Sequence, residues 1–372
     1  QEVYENLLRH GVHVFHGVAS FYDAHTVKVE GPKEVLLQAD YILAAPGSYP
    51  YHPSHIPFDG VRVHDSDTIL QIKRIPRSLC VVGAGVIGCE YATIFSTMGT
   101  HIFLVNDKEQ ILPFIDQEVA RALVLQMQEN EVEILFKTSV KTIQVPLQEN
   151  EMLTIQLENG KSFQADMFLF AAGRCGNVKA LNCEKIGLVT GERETIAVDE
   201  TYRTNIPHIY AAGDVIGFPA LASTSMDQGR VAVAHMFNTE DLKHLPSFFP
   251  YGIYTVPEVS MVGITEEEAQ KMKLAYCIGR ASYADMVRGK IMGAKSGFLK
   301  LIFNRDDRVI RGVHIIGNIA CELIHFGMNL VEEKKTLYDV IGEVFNFPTL
   351  HDLYKYAAYD GLSTLSGHRV KP

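Results

Sequence analysis

The glycine-rich segment at residues 80–90, C-V-V-G-A-G-V-I-G-C-E, constrains the fold more than any other part of the chain. Gly83, Gly85 and Gly88 follow aliphatic residues typical of a buried strand and lead into an apolar-periodic helix. In such a turn the first glycine makes the bend, the second lets the backbone approach a pyrophosphate, and the third lets helix and strand pack closely. Free N–H groups at the helix start favour the diphosphate. The segment therefore predicts a dinucleotide site, although a structural strand–turn–helix without a ligand would have the same pattern.

A complete βαβαβ nucleotide unit is predicted around this turn, from residue 79 to about residue 139. It adds strands at 101–105 and 133–136 and a helix at 116–130. The residue that ends the second strand selects the cofactor, because an acidic side chain there accepts the ribose 2′-hydroxyl of NAD and repels a 2′-phosphate. Asn106 occupies that position in phase with the strand, followed by Asp107 and by Lys108, which could meet a phosphate. We expect both NAD(H) and NADP(H) to bind. Alternatively, a one-residue shift makes Asp107 select NAD.

Composition excludes several other classes of protein. The 372 residues suggest two or three domains, and a formal charge of −10 without basic runs argues against nucleic-acid binding. No apolar run approaches the roughly 18 residues of a membrane span. The six cysteines contain no C-x-x-C pair and predict reduced thiols in a cytoplasmic protein. The histidines are scattered, so no metal site is expected, and His52 and His55 are interpreted as surface residues.

An internal repeat suggests that the chain is a fragment. Residues 38–47 and 164–173 share Gln-Ala-Asp, an apolar run and a terminal glycine, and a hairpin precedes each copy. The second copy follows a complete βαβ unit, whereas the first has no such unit before it, because the chain begins at Gln1. We therefore expect that an N-terminal βαβ unit has been lost.

Several local elements are also predicted. They are a strand at 12–15, a hairpin of strands 26–30 and 34–37, a linker at 49–57, a helix at 65–72, a strand ending in Gly213-Asp214, a helix at 222–237, and an α+β block after residue 254. By spacing alone, Asp214 either accepts a sugar hydroxyl or caps a helix. Glu90 either faces a redox centre or caps locally. His351 and Asp352 are interpreted as exposed residues at a helix start.

Four motifs together resemble the flavoprotein pyridine nucleotide-disulfide oxidoreductases of class I. They are G-A-G-V-I-G-C-E at 83–90, A-A-G-R at 171–174, T-N-I-P-H-I-Y-A-A-G-D at 204–214 and F-N-F-P-T at 345–349. Within this family the chain is most similar to the transhydrogenase branch, through S-Y-P-Y-H-P at 48–53, D-Q-G-R at 227–230 and G-I-Y-T-V-P-E at 252–258. The resemblance extends over essentially the whole chain.

The resemblance implies an α/β fold with two nested Rossmann-like dinucleotide-binding domains and a C-terminal α+β dimerisation domain. The expected boundaries are 1–76 and 196–243 for an incomplete FAD-binding domain, 77–195 for the NAD(P)-binding domain and 244–372 for the dimer interface. The implied partners are FAD, which the fragment is expected to hold poorly or not at all, NAD(H), NADP(H) and a second copy of the chain.

The resemblance also assigns site residues. Glu90 corresponds to the acidic residue near the nicotinamide, Asp214 to the carboxylate that binds the FAD ribitol, and the helix start at Leu221, Ala222 and Ser223 to the flavin pyrimidine contact. Val86 stands where several relatives carry a gating tyrosine. The full set of expected cofactor-binding residues is Gly83, Gly85, Val86, Ile87, Gly88, Asn106, Asp107, Gly173, Gly213, Asp214, Leu221, Ala222 and Ser223.

The implied activity is flavin-dependent hydride transfer between NADPH and NAD⁺. Disulfide reductases of the family end in His-Pro-Thr, whose histidine is the acid/base for thiol chemistry, and here Phe347 takes that place. Two alternatives remain: a dihydrolipoamide dehydrogenase-like reductase whose cysteine pair lay in the lost segment, and a non-catalytic NAD-binding dimer.

Overall fold

The computed structural model describes residues 2–148, 151–240, 244–246 and 248–367. The chain forms two compact units: unit 1 comprises residues 1–51 and 173–246, and unit 2 comprises residues 52–172 and 247–372. Among the described residues, no helix is long and apolar enough to cross a membrane.

Strands and α-helices contribute similar numbers of residues to the described part of the chain. In chain order the strands are β1 (Val18–Phe21), β2 (Thr26–Glu30), β3 (Val35–Gln38), β4 (Ile42–Ala44), β5 (Ser48–Pro50), β6 (Val63–Asp65), β7 (Ser78–Val82), β8 (His101–Val105), β9 (Val132–Leu135), β10 (Val140–Gln144), β11 (Leu153–Leu157), β12 (Ser162–Ala165), β13 (Met167–Phe170), β14 (Arg174–Gly176), β15 (Ile209–Ala211), β16 (Tyr251–Ile253), β17 (Val259–Gly263), β18 (Tyr276–Ser282), β19 (Phe298–Asn304) and β20 (Ile310–Ile316).

The α-helices of the described residues differ in how far they are buried, and the first of them buries no residue. They are α1 (Glu2–Arg9), α2 (Val86–Thr97), α3 (Gln117–Glu129), α4 (Ala222–Phe237), α5 (Glu266–Lys271), α6 (Val287–Ile291), α7 (Ala320–Glu332), α8 (Leu337–Gly342) and α9 (Asp352–Ser366). Short 3-10 turns occupy Thr68–Gln71, Cys183–Ile186, Glu192–Glu194, Asp214–Ile216 and Tyr283–Asp285.

Unit 2 contains the expected nucleotide-binding sheet. Its strands are parallel, in the order β6-β13-β7-β8-β9. Side chains on one face, such as Leu79 and Val81, pack on α2 and α3, and those on the other, such as Cys80 and Phe168, pack on the β10-β11-β12 meander. The predicted strand at 101–105 is confirmed. The predicted helix at 116–130 is α3 with Asp116 and Asn130 as its caps.

Unit 2 also contains an antiparallel sheet in the order β16-β17-β20-β19-β18. Helices α7 and α9 pack on it around a core that includes Leu301, Val313 and Tyr354. Ile253 and Val259 from this sheet lie in the same hydrophobic cluster as residues of α2 and α3. The two sheets of unit 2 are therefore joined by one continuous core.

Unit 1 is built from smaller pieces. The β1-β2-β3 sheet is antiparallel, as the predicted hairpin requires, and β4 pairs in parallel with β15. Its core includes Phe21, Ala44, Ile209 and Val215. Helix α4 spans Ala222–Phe237 as predicted.

One local prediction is wrong and two are right only in part. Residues 12–15 are irregular, because the backbone pairs with β2 only from Val18 onward, and Phe15 is 46% exposed. The expected linker at 49–57 begins with the end of β5, which pairs with β14, but from residue 51 on it has no helix or strand, and the chain passes there from unit 1 to unit 2. The expected helix at 65–72 is present only as the 3-10 turn Thr68–Gln71, where the side chain of Asp65 accepts the Thr68 N–H.

Candidate functional site

The glycine turn between β7 and α2 has the geometry of a dinucleotide-binding loop. Gly83 has a φ of +99°, and a Cβ there would lie 2.9 Å from the Ala172 Cα. A Cβ on Gly88 would lie 1.8 Å from the Gly83 carbonyl oxygen, so only glycine lets α2 approach the strand. Around Gly85 no atom lies within 4 Å of such a Cβ, which leaves room for a ligand against the backbone.

The start of α2 is free to receive an anion. Gly85 is its N-cap and makes no side-chain capping hydrogen bond, and Val86 and Ile87 are its first two residues. The first N–H groups of a helix have no intrahelical partner and carry its positive dipole end. The turn therefore fits a pyrophosphate.

Asn106 and Asp107 follow β8, but only one of them faces solvent. Asn106 is 6% exposed. Its Oδ1 accepts the Ala84 N–H at 3.3 Å, and its Nδ2 donates to the carbonyl oxygens of Lys108 and Gln110 at 3.4 and 3.0 Å. The Asn106 amide thus braces the glycine turn, whereas Asp107 is exposed beside it. This arrangement favours the alternative in which Asp107 meets the ribose.

Glu90 is half-buried, one turn into α2. Its Oε1 accepts the backbone N–H of Tyr254 at 2.8 Å. Burial raises the pKa of Glu90, and the hydrogen bond from Tyr254 partly opposes the rise. Tyr254 itself is 64% exposed. The carboxylate is therefore fixed from the C-terminal sheet instead of capping its own helix.

A histidine–carboxylate pair lies at the same edge of the parallel sheet, and the sequence did not reveal it. His52 Nε2 lies 2.6 Å from Asp65 Oδ2, and the other oxygen of Asp65 accepts the Thr68 N–H at 2.7 Å. Burial opposes ionisation of Asp65, but hydrogen bonds from Thr68 and His52 hold its pKa below the usual range. Asp65 ends β6, two strands or about 10 Å from β7. His52 is exposed, as expected of a surface residue, but its contact with Asp65, thirteen residues away, was not predicted.

Unit 1 fixes the carboxylate of Asp214. Asp214 Oδ2 accepts a hydrogen bond from Ser48 Oγ at 2.8 Å, and Ser48 Oγ accepts one from Arg174 Nε at 2.7 Å. Gly213 precedes it with a φ of +84°, and its N–H donates to Gln228 Oε1 at 2.8 Å. The Asp214 carboxylate is half-buried and keeps acceptor capacity for a polyol hydroxyl.

The start of α4 lies a few residues after Asp214. Leu221 is the N-cap and makes no side-chain capping hydrogen bond, and Ala222 and Ser223 are exposed. Uncapped N–H groups of this kind can donate to the carbonyl groups of a flavin ring. Gly173, in the same unit, has a φ of +114° and accepts the Tyr51 N–H at 3.1 Å. The unit 1 residues therefore fit the polar part of a flavin nucleotide.

Thiol chemistry has little support among the described residues. All six cysteines are free and buried, and burial raises the pKa of Cys80, Cys89, Cys183 and Cys321. Phe347 is 66% exposed. His351 is the N-cap of α9 and packs near Phe326 and Tyr354, and burial lowers its pKa, so the expectation of an exposed residue is wrong. The described residues contain no cluster that could hold a metal ion.

Together, a glycine turn for a dinucleotide and a separate unit suited to a flavin define a two-nucleotide oxidoreductase. The chain matches the family described as pyridine nucleotide-disulphide oxidoreductase over residues 1–229, and that family's dimerisation domain over residues 249–358. The chain therefore belongs to the pyridine nucleotide-disulphide oxidoreductases and is a flavin-dependent oxidoreductase.

Similar proteins include the soluble pyridine nucleotide transhydrogenases of Yersinia pestis (strain Pestoides F) and Yersinia pseudotuberculosis (serotype O:1b). Each is 41% identical over 363 residues, which cover 96% of this chain and 77% of the relative. These matches do not support the expected loss of an N-terminal unit, which stays a prediction.

Two solved structures share the fold. LpdA from Mycobacterium tuberculosis has a TM-score of 0.89 at 24% identity, over 96% of this chain and 79% of that one. A copper(II) complex of a mutant of the HOCl-induced flavoprotein disulfide reductase RclA from Escherichia coli has a TM-score of 0.89 at 22% identity, over 97% and 81%. The family match and these structures confirm the expected fold class. The family match and the transhydrogenase relatives confirm the expected FAD and pyridine nucleotide cofactors. The dimerisation domain supports the expected homodimer.

Proposed function

We propose that this protein transfers hydride between NADPH and NAD⁺ by way of FAD. The observation that carries the proposal is the 41% identity with soluble pyridine nucleotide transhydrogenases over 96% of the chain. Bound FAD would supply the chemistry, by accepting a hydride from one nicotinamide and returning it to another. The residues of the chain would bind, orient and discriminate the nucleotides.

On the pyridine nucleotide side, we assign the pyrophosphate to the glycine turn. Gly83 and Gly88 let strand and helix approach each other, Gly85 leaves space for the phosphates, and the N–H groups of Val86 and Ile87 can donate to them. Glu90 would orient the nicotinamide end, because its carboxylate is held by the Tyr254 N–H. Asp107 would meet the adenosine ribose, with Asn106 bracing the turn beneath it.

On the flavin side, we assign the ribitol to Asp214 and the pyrimidine edge to the start of α4. Ser48 and Arg174 fix the carboxylate, and Gly213 and Gly173 provide backbone turns that other residues would strain. The N–H groups that follow Leu221, at Ala222 and Ser223, would donate to the ring. The domain boundaries given above and a cytoplasmic location belong to the same proposal.

Disulfide reduction, the second candidate activity, would need an acid/base group at the position of Phe347. The position of the family's thiol-activating histidine holds Phe347, which cannot carry a proton, and a thiolate without a positioned base exchanges slowly. The remaining alternative, a non-catalytic nucleotide-binding dimer, predicts a protein without flavin absorption.

The proposal is tested by mixing the purified protein with added FAD, NADPH and thio-NAD⁺. We expect the reduced thionicotinamide to form, and no oxidation of NADPH when lipoamide or glutathione disulfide replaces thio-NAD⁺. The visible spectrum of the desalted protein reports whether flavin is bound. A variant with Gly85→Ala is the matched control, since its Cβ would enter the space assigned to the phosphates without meeting another atom of the protein. Lipoamide turnover at a rate comparable to hydride transfer would contradict the proposal.

A further inference from the structure

A cavity of about 570 Å³ lies at the amino-terminal edge of the parallel sheet in unit 2. It is lined by the segment that enters β6, by the segment after the 3-10 turn, which leads toward β7, and by Met167, the first residue of β13. The glycine turn follows the carboxyl end of β7, and dinucleotides bind outside the carboxyl ends of such strands. The cavity is therefore separate from the pyridine nucleotide site.

One wall of this cavity is His64, in the middle of β6. The side chain is 1% exposed, and neither ring nitrogen has a hydrogen-bond partner among the described residues. A buried imidazole without partners is costly, because at least one donor and one acceptor lose their water contacts. Such a group in a native protein requires an explanation. A ligand in the cavity that hydrogen-bonds the ring would provide one.

The cationic side chains near His64 favour an anionic ligand. Arg62, 7% exposed, donates to the backbone oxygens of Pro146, of Gln148 at 3.2 Å and of Glu151 at 3.1 Å. These neutral acceptors hold the guanidinium in place without cancelling its charge. The exposed side chain of Lys73 adds a second cation.

Among the residues that the structure describes, no carboxylate lines the cavity, but Asp166 pairs at 2.6 Å with Arg74 of the cavity wall, so Arg62 and Lys73 are the cations that carry the positive charge. The pocket therefore presents a positive potential to an incoming ligand. The imidazole of His64, the guanidinium of Arg62 and the ammonium of Lys73 are donors of different shape. Together they suit a tetrahedral oxyanion, which accepts hydrogen bonds on several oxygens.

We propose that this cavity binds a small phosphorylated metabolite. The phosphate would lie against His64, Arg62 and Lys73, and the organic part against Ile72 and Met167. The volume falls within the roughly 300–1,000 Å³ of small-molecule sites and exceeds what an inorganic anion fills. The site does not depend on the proposed transhydrogenase activity.

Calorimetric titration of the whole protein with inorganic phosphate, glucose 6-phosphate and glucose tests the site. Both phosphates should bind and glucose should not, with glucose 6-phosphate the tighter of the two. The variant His64→Phe keeps the ring volume and should weaken phosphate binding about tenfold or more, since a hydrogen bond to a charged group is lost. Lys73→Glu, an exposed substitution that spares the core, should do the same.

Matched controls are His55→Phe and Lys141→Glu, which change exposed residues of the same unit outside the cavity. Both should bind phosphate like the parent, and all four variants should keep NADH binding at the glycine turn. Absence of phosphate binding in the parent would overturn the proposal. So would binding that His64→Phe and Lys73→Glu leave unchanged, or binding that NADH displaces competitively.

Discussion

Removing the Lys300 ammonium should destabilise unit 2 more than the loss of any surface ion pair. Lys300 lies on β19, is fully buried, and donates from Nζ to Asp116 at 2.9 Å and to Glu266 at 2.6 Å. Glu118 is a third carboxylate at 3.0 Å. Asp116 also caps α3 by accepting the Glu118 N–H at 3.0 Å. The cluster therefore ties helix α3, which packs on the parallel sheet, to the C-terminal antiparallel sheet.

The expected cost follows from the charges left behind. Burial opposes ionisation of Asp116, but His314, Lys300 and a hydrogen bond from the Glu266 N–H hold its pKa below the ordinary value of 3.8. The substitution Lys300→Met leaves that buried carboxylate uncompensated beside two others. Breaking a buried pair in this way costs about 3–5 kcal/mol. At Lys335, whose ion pair with Glu333 is exposed, the same change should have little effect.

Urea unfolding of the parent, Lys300→Met and Lys335→Met, at fixed protein and cofactor concentrations, measures the difference. Adding Asp116→Asn to Lys300→Met should recover part of the loss, because it removes the uncompensated charge. Folding lowers the pKa of Asp116, so its ionised carboxylate stabilises the folded state fully at a pH above the pKa in the unfolded chain. This stabilisation is lost as the pH falls through the pKa of Asp116 in the folded protein. Equal midpoints for Lys300→Met and Lys335→Met would refute the reasoning.

Three further predictions concern the nucleotide site. Gly88→Ala should lower both stability and NADH affinity, whereas Gly85→Ala, with open space around its Cβ, should lower affinity alone; equal unfolding midpoints for the two variants would contradict this. Asp107→Asn should lower the KM for NADPH relative to NADH, since a carboxylate facing a 2′-phosphate costs about 1–3 kcal/mol; unchanged KM values would return the ribose to Asn106. In the parent, NADH binding should change with pH as Glu90 ionises, at a pH above that of an ordinary glutamate because burial raises the pKa of Glu90, and Glu90→Gln should remove this change. An unaltered pH profile in the variant would exclude Glu90 from the site.

The sequence predicted the nucleotide-binding unit well because its signals are local. A glycine turn between a strand and a helix is encoded within eleven residues, and α3 is delimited by its own caps, Asp116 and Asn130. The strand β18 was not predicted, and only the start of the helix α9 was. Their contact depends on Gly279, where a Cβ would lie 2.0 Å from the Ala357 carbonyl oxygen, and such close packing across the chain leaves no periodic pattern.

The candidate site was predictable only in part, for a related reason. The residue types at Asp214 and Glu90 suggested chemistry, but their partners Ser48 and Tyr254 lie 166 and 164 residues away. The alternation along its strand predicted that Asn106 contacts the ribose. Only the structure shows that its side-chain amide hydrogen-bonds instead to the backbone of Ala84 and Gln110. Spacing along the chain predicts which side chains lie near a ligand. Long-range hydrogen bonds determine which of their donors and acceptors are left to bind it.

Glu90 connects the parallel sheet of unit 2 with its C-terminal sheet. Its carboxylate is held by Tyr254, which directly follows β16, so the nucleotide side of the unit is completed by the C-terminal sheet. The same sheet contributes Lys300 to the cap of α3 and Ile253 to the shared core. A substitution that loosens this sheet, such as Lys300→Met, should therefore weaken NADH binding without touching a residue of the glycine turn. Calorimetric titration of that variant with NADH below its unfolding transition should show the loss, and affinity equal to the parent would mean that the two sheets share a core but act independently.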